Sequence, residues 1–308
     1  VNHVSLPPDT TPSGPTTASG TFTVTDGANG GHCTNIGIWD SDSKTCDVTA
    51  DIDGSIIIGS DGITINGNGN TLFLDPLSDG GFISGNGVSD VVIQNFNLIG
   101  GPVPQYENGM LGAYFTNSDN IIIQQNTFTD FNRGLYFIDV SNLQIQNNSL
   151  LNSQASIEVS GSDGVSITNN IFENCNAHCI LLQAGHTTSL ISDNTFTTSS
   201  SDYIDDFGVP KPFFAIDIGY ADVNGASFGT YTISDNTFTG DDTGGLIIKS
   251  TGATVIVTDN AFSNLNAAIS MCGNVNPVPG MLPDCEVDYE IPTQFSGNTF
   301  TNNIYDIV

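Results

Sequence analysis

A short pattern of apolar and polar positions recurs along the chain: one apolar residue, two polar residues, Asn, any residue, then Phe or another large apolar residue. It reads Ile123-Gln-Gln-Asn126-Thr-Phe128, Ile145-Gln-Asn-Asn148-Ser-Leu150 and Ile167-Thr-Asn-Asn170-Ile-Phe172. It continues as Ile191-Ser-Asp-Asn194-Thr-Phe196, Ile233-Ser-Asp-Asn236-Thr-Phe238, Val257-Thr-Asp-Asn260-Ala-Phe262 and Phe295-Ser-Gly-Asn298-Thr-Phe300. Ile93-Gln-Asn95-Phe-Asn97-Leu98 is a looser copy upstream. The Asn-to-Asn spacings are 22, 22, 24, 42, 24 and 38. A period of 22–24 built from short β-type runs predicts a solenoid. Helical repeats need longer periods and better helix formers, and the Leu-x-x-Leu-x-Leu spine of a leucine-rich repeat is absent. The pattern therefore predicts an all-β parallel β-helix, one repeat per coil. Alternation points Phe128 and its equivalents inward. Stacked coils would align Asn126, Asn148, Asn170, Asn194, Asn236, Asn260 and Asn298 as a structural ladder, because an amide both donates and accepts.

The two long spacings predict single coils with loop insertions near 199–215 and 272–293, and a third insertion near 100–108 precedes the regular region. Such loops are where a solenoid carries binding features. Residues 1–20, rich in Pro, Thr and Ser, read as a flexible arm, leaving 21–308 as one β-helix domain. Cys33 to Cys46 reads as a cap, followed by first coils at Ser55–Ile58 and Asp61–Leu72. Further strands are expected to begin at Leu135, Ile157, Ile180, Leu246 and Ile269. The equivalent position after Phe300 is Ile307, next to the last residue, Val308. An uncovered β-helix end exposes unpaired backbone. That end fits either a chain cut from a longer protein or head-to-tail stacking of copies into a filament.

Charge narrows the function. Thirty-three acids face four bases, for a net charge of −29, although only 12% of residues are charged. Four basic residues cannot build a nucleic-acid groove or dock on anionic lipid. No apolar run approaches the roughly 20 residues of a membrane span. Disorder is excluded by 38% hydrophobic residues, including 18 Phe. Six cysteines fall into three local pairs, Cys33/Cys46, Cys175/Cys179 and Cys272/Cys285. An even count in such a chain suggests disulfides and an extracellular setting, with neighbour pairing the simplest connectivity. Cys175, His178 and Cys179 also offer a sharper alternative, a metal site.

The repeat, the Cys-x12-Cys segment and the following Asp61-Gly-Ile-Thr-Ile-Asn-Gly-Asn-Gly69 resemble right-handed parallel β-helix proteins of the pectate-lyase-like superfamily, especially the NosD-like group. The resemblance spans about residues 30–308 and implies the fold. It implies little about function, because this fold hosts lyases, hydrolases, epimerases and inert surface proteins. Lyases of the family use a Lys or Arg base and usually Ca2+. Only Arg133 and Lys211 suit the base, and a −29 surface repels a polyuronate unless bound cations compensate. The Gly-His-Gly and Arg-x-Lys elements of related hydrolases are absent, as is the Asp-Pro-His of the epimerases. Among the carboxylates Asp202, Asp205, Asp206, Asp217 and Asp222 an acid/base pair could form. A solvated or Ca2+-binding acidic loop is the favoured reading of Asp202, Asp205 and Asp206, since little else supports catalysis.

The favoured expectation is an extracellular, self-assembling structural β-helix whose partners are copies of itself. The alternative is a secreted polysaccharide-active enzyme or carbohydrate-binding module using Arg133, Asp202, Asp205, Asp206 and Lys211. A minor alternative, ice binding, comes from Thr127/Thr129, Thr195/Thr197, Thr237/Thr239 and Thr299/Thr301, a rank interrupted by Ser149/Leu151, Ile171/Glu173 and Ala261/Ser263. Asn147-Asn-Ser149 is a glycosylation sequon.

Overall fold

The computed structural model describes residues 17–73, 81–101, 110–183, 188–199, 213–220, 229–241, 243–248, 254–271 and 293–308. Short strands wind through these residues as a parallel β-helix with three faces. One coil runs through Arg133–Ile138 on the first face, Gln144–Gln146 on the second and Ser149–Leu151 on the third. Each strand pairs in parallel with its equivalents in the neighbouring coils. On the first face Leu135, Ile157, Ile180, Ile216, Leu246, Ile269 and Ile307 stand in one register, so the strand starts expected from the sequence align.

The first face begins earlier than the sequence suggested. Ala18–Val24 is a strand, paired in parallel with Ile52–Ile58. Ala18, Ser19 and Gly20 therefore belong to the solenoid rather than to the arm, because their backbone completes the first coil's ladder. Of the remaining arm residues, 1–16 lie outside the described residues. The strand Phe214–Tyr220 likewise opens inside the stretch read as an insertion. Cys33 sits in a single helical turn, Cys33–Ile36, which leads into a hairpin. In that hairpin Gly37–Asp40 runs antiparallel to Thr45–Val48, and Thr45–Val48 pairs in parallel with Thr64–Asn66. The Cys33–Cys46 disulfide ties the turn to the hairpin and closes this end of the second face.

Alternation fills the interior. Phe128, Leu150, Phe172, Phe196, Phe238 and Phe262 are buried, and Phe300 packs partly against them. Strand pairing about 4.8 Å apart places like on like. The rings of Phe172, Phe196, Phe238 and Phe262 accordingly stack at centroid distances of 4.7, 4.7 and 4.6 Å.

The asparagines between the second and third faces form a hydrogen-bonded ladder. Asn148 donates its backbone N–H to Asn170 Oδ1 at 2.9 Å, and its Nδ2 donates to Ile123 O and Asn170 Oδ1 at 2.9 and 3.0 Å. The same contacts recur from Asn126 to Asn298. Each ladder Asn follows a residue with positive φ, such as Asn147 at 57°, Asp193 at 58° and Gly297 at 68°. Asn, Asp and Gly tolerate that left-handed turn, which explains why the position before the ladder is so often one of them. In the looser upstream copy Phe96 takes the ladder position and donates its N–H to Asn126 Oδ1 at 3.0 Å.

Candidate functional site on the first face

On the first face four successive coils each bury two consecutive residues, a small one then a larger one: Gly134-Leu135, Ser156-Ile157, Cys179-Ile180 and Ala215-Ile216. The residue before the small one and the residue after the large one then flank the core positions on the outer side. Two registers result. One aligns Arg133, Ala155, His178 and Phe214. The other aligns Tyr114, Tyr136, Glu158, Leu181 and Asp217.

These registers bring charged and aromatic groups from five coils together. Arg133 Nε lies 2.6 Å from Glu158 Oε2, and Gln183 Nε2 donates to Glu158 Oε1 at 2.6 Å. The Arg133 guanidinium lies over the Tyr136 ring, 4.9 Å from its centroid, and Tyr136 stacks on Tyr114 at 5.5 Å. His178 Nδ1 lies 3.6 Å from Asp217 Oδ2. Glu158 and Asp217 are only 4% and 2% exposed, although they occupy outward positions. Burial raises the pKa of Glu158, and the opposing effects of the Arg133 charge and the bonds from Arg133 and Gln183 do not cancel it. Burial also raises the pKa of Tyr136, with a further push from the Glu158 charge.

Of the candidates named from sequence, Arg133 and Asp217 lie on this face. Asp202, Asp205, Asp206 and Lys211 lie outside the described residues, as do Asp222, Cys272 and Cys285. Cys175 and Cys179 form a disulfide. That overturns the metal reading with His178, because neither sulfur is left as a thiolate ligand. Among the described residues no group of three His, Cys, Asp or Glu is placed to hold a metal ion. No helix among them is long and apolar enough to cross a membrane. The Thr-x-Thr rank is two coils long where Thr195/Thr197 pair with Thr237/Thr239, between Ile171/Glu173 and Ala261/Ser263. The sequon residue Asn147 is exposed.

Glu158, His178, Gln183, Tyr114 and Tyr136 were not singled out for this site from the sequence. The signal existed, since the residue after each expected strand start (Tyr136, Glu158, Leu181) occupies one outward register.

The model of the right handed beta helix region matches residues 34–209, more than half of the chain. The chain belongs to the right-handed β-helix family. No curated protein matches this β-helix. Among solved structures it is similar to the catalytic domain of a GH87 alpha-1,3-glucanase in complex with nigerose, with a TM-score of 0.53 and 16% identity over 94% of this chain and 60% of that one. This β-helix thus spans about 60% of the length of that glucanase domain. An alginate lyase from Paenibacillus sp. str. FPU-7 matches with a TM-score of 0.50 and 14% identity over 92% of this chain and 98% of that one. A rhamnogalacturonan lyase matches with a TM-score of 0.46 and 14% identity over 85% and 68% of the two chains. These structural neighbours are polysaccharide-active enzymes. At such identities the likeness is one of fold.

Proposed function

We propose that this β-helix is a secreted, polysaccharide-active protein whose site is the outer side of the first face. The observation that carries the reading is the pair of buried carboxylates, Glu158 and Asp217, in one outward register with Arg133 and His178 beside them. Buried charges are costly unless they are paired, so surfaces without a task rarely hold them. The carbohydrate activity named for the glucanase and the alginate lyase accords with this reading.

The roles follow from the geometry. Both oxygens of Glu158 accept bonds, which makes it an anchor for Arg133 rather than a free proton donor. Arg133, so held and about one-third exposed, has further guanidinium N–H groups to donate to oxygen atoms of a bound sugar. The His178 side chain is 29% exposed and backed by the nearly buried Asp217. His178 is thus a partly exposed imidazole with a carboxylate at its inner side, and is the group on this face suited to move a proton. Incubation with a panel of polysaccharides tests this, scoring new reducing ends for hydrolysis and unsaturated products by ultraviolet absorbance for elimination. Product release by the wild-type chain should be lost in His178→Ala and fall about 10²–10⁴-fold in Asp217→Asn. Unchanged product release in both variants would remove the site.

A second reading is self-assembly, for which the exposed apolar side chains Ile304, Tyr305 and Ile307, at 66%, 44% and 47%, offer a surface. Sedimentation velocity over a wide concentration range, with and without Ca2+, tests it. A single monomeric species throughout would end it.

A further inference from the structure

The outward register through Glu158 extends in both directions along the first face. Thr23, Ile57, Ser84, Tyr114, Tyr136, Glu158, Leu181 and Asp217 align strand by strand. One side of the Tyr136 ring is taken by Tyr114 and the guanidinium of Arg133 lies over it, so this ring is enclosed. Tyr114 differs. On the side away from Tyr136 its neighbour in register is Ser84, a small side chain, followed by Ile57, which is 38% exposed. Gly81 stands opposite Leu111 beside it, and a Cβ there would lie 3.2 Å from Tyr114 Cβ. Serine and glycine thus leave a step in the register against one face of a tyrosine ring.

The charges beside this step are already committed. Arg133 is paired with Glu158, and Lys44, the other described Lys or Arg, is 3.5 Å from Asp26 in the distant cap. The whole chain carries −29. A polyanion approaching this face meets repulsion. A neutral sugar meets an aromatic ring face suited to its apolar C–H face, with the Ser84 side chain next in register.

We propose that the site takes an uncharged glycan and that one of its sugar rings stacks on Tyr114 above Ser84. This rests on the reading of the first face as a polysaccharide site. Calorimetry against soluble neutral glucans and mannans, and against polygalacturonate and alginate with and without Ca2+, tests it. Neutral glycans should bind. Tyr114→Ala should weaken that binding about tenfold, while Tyr114→Phe retains it. Ser84→Phe, which fills the step without removing the ring, should weaken binding at least as much, and thermal melts by circular dichroism check that each variant is folded. Preference for a polyuronate, or undiminished neutral-glycan binding by either Tyr114→Ala or Ser84→Phe, overturns the inference and leaves the polysaccharide reading in place. Binding of no glycan of either class overturns both.

Discussion

Arg133 and Glu158, one coil apart, form a 2.6 Å ion pair in which the acid is almost wholly buried and the base is about one-third exposed. Burial of the carboxylate, rather than the attraction, dominates, because the pKa of Glu158 is raised. An acid with a raised folded-state pKa binds its proton more readily in the native state. Its contribution to stability is full below the unfolded pKa and is lost as pH rises through the folded pKa. Glu158→Gln should therefore remove a decline in stability between acidic and neutral pH. Urea-unfolding midpoints of the wild type and Glu158→Gln, compared across that range, read the difference.

Removing the base should have the opposite effect. Arg133→Ala leaves Glu158 facing only Gln183, raises its pKa further and extends the decline to higher pH. The cost at neutral pH is expected to be about 1–3 kcal/mol, kept modest by the exposure of Arg133. The double variant Arg133→Ala/Glu158→Gln should regain part of that loss. Equal destabilisation by the single and double variants would show that the carboxylate is not strained by its burial.

The stacked core makes a graded prediction. Phe238 lies between Phe196 and Phe262 at 4.7 and 4.6 Å and is 1% exposed. Phe300 has one described stacking partner, Phe262 at 5.5 Å, and is only partly buried. Phe238→Ala should cost about 3–5 kcal/mol, and Phe300→Ala less. Chemical denaturation measures both.

The same regularity explains what the sequence made legible. Repeats buried by their neighbours must repeat their chemistry, so the inward Phe and the ladder Asn were visible at a fixed period. The left-handed position before each ladder Asn holds Asn, Asp or Gly in every copy but the first, where it is Gln125. The Arg133–Glu158–Gln183 and His178–Asp217 groupings were not visible, because the outer positions have no repeat to obey. They become neighbours only once the register is fixed. Asp217 stands 59 residues after Glu158 in sequence, yet only two strands away, about 9.6 Å along the axis. The strand Ala18–Val24 was hidden for another reason: Ala18-Ser-Gly-Thr21 carries no apolar alternation, and its pairing comes from the backbone.

The two described disulfides should differ in worth. In the chain-entropy account a crosslink stabilises by restricting the unfolded chain, and the benefit grows with the loop it closes. Cys33–Cys46 closes a separation of 13 residues and Cys175–Cys179 one of 4. Replacing the first pair by Ser should cost about 3 kcal/mol and the second about 2 kcal/mol. The second, however, holds the corner just before the strand of His178 and Gln183, with Ser156 Oγ 3.4 Å from Cys175 Sγ. Its loss should therefore show in function more than in stability. Cys175→Ser/Cys179→Ser is expected to lower glycan turnover while shifting the unfolding midpoint less than Cys33→Ser/Cys46→Ser does. Activity assays and urea unfolding on the same two variants check both halves: the reverse order in stability would contradict the loop-closure account, and unchanged turnover in Cys175→Ser/Cys179→Ser would contradict the placement of the site on this face.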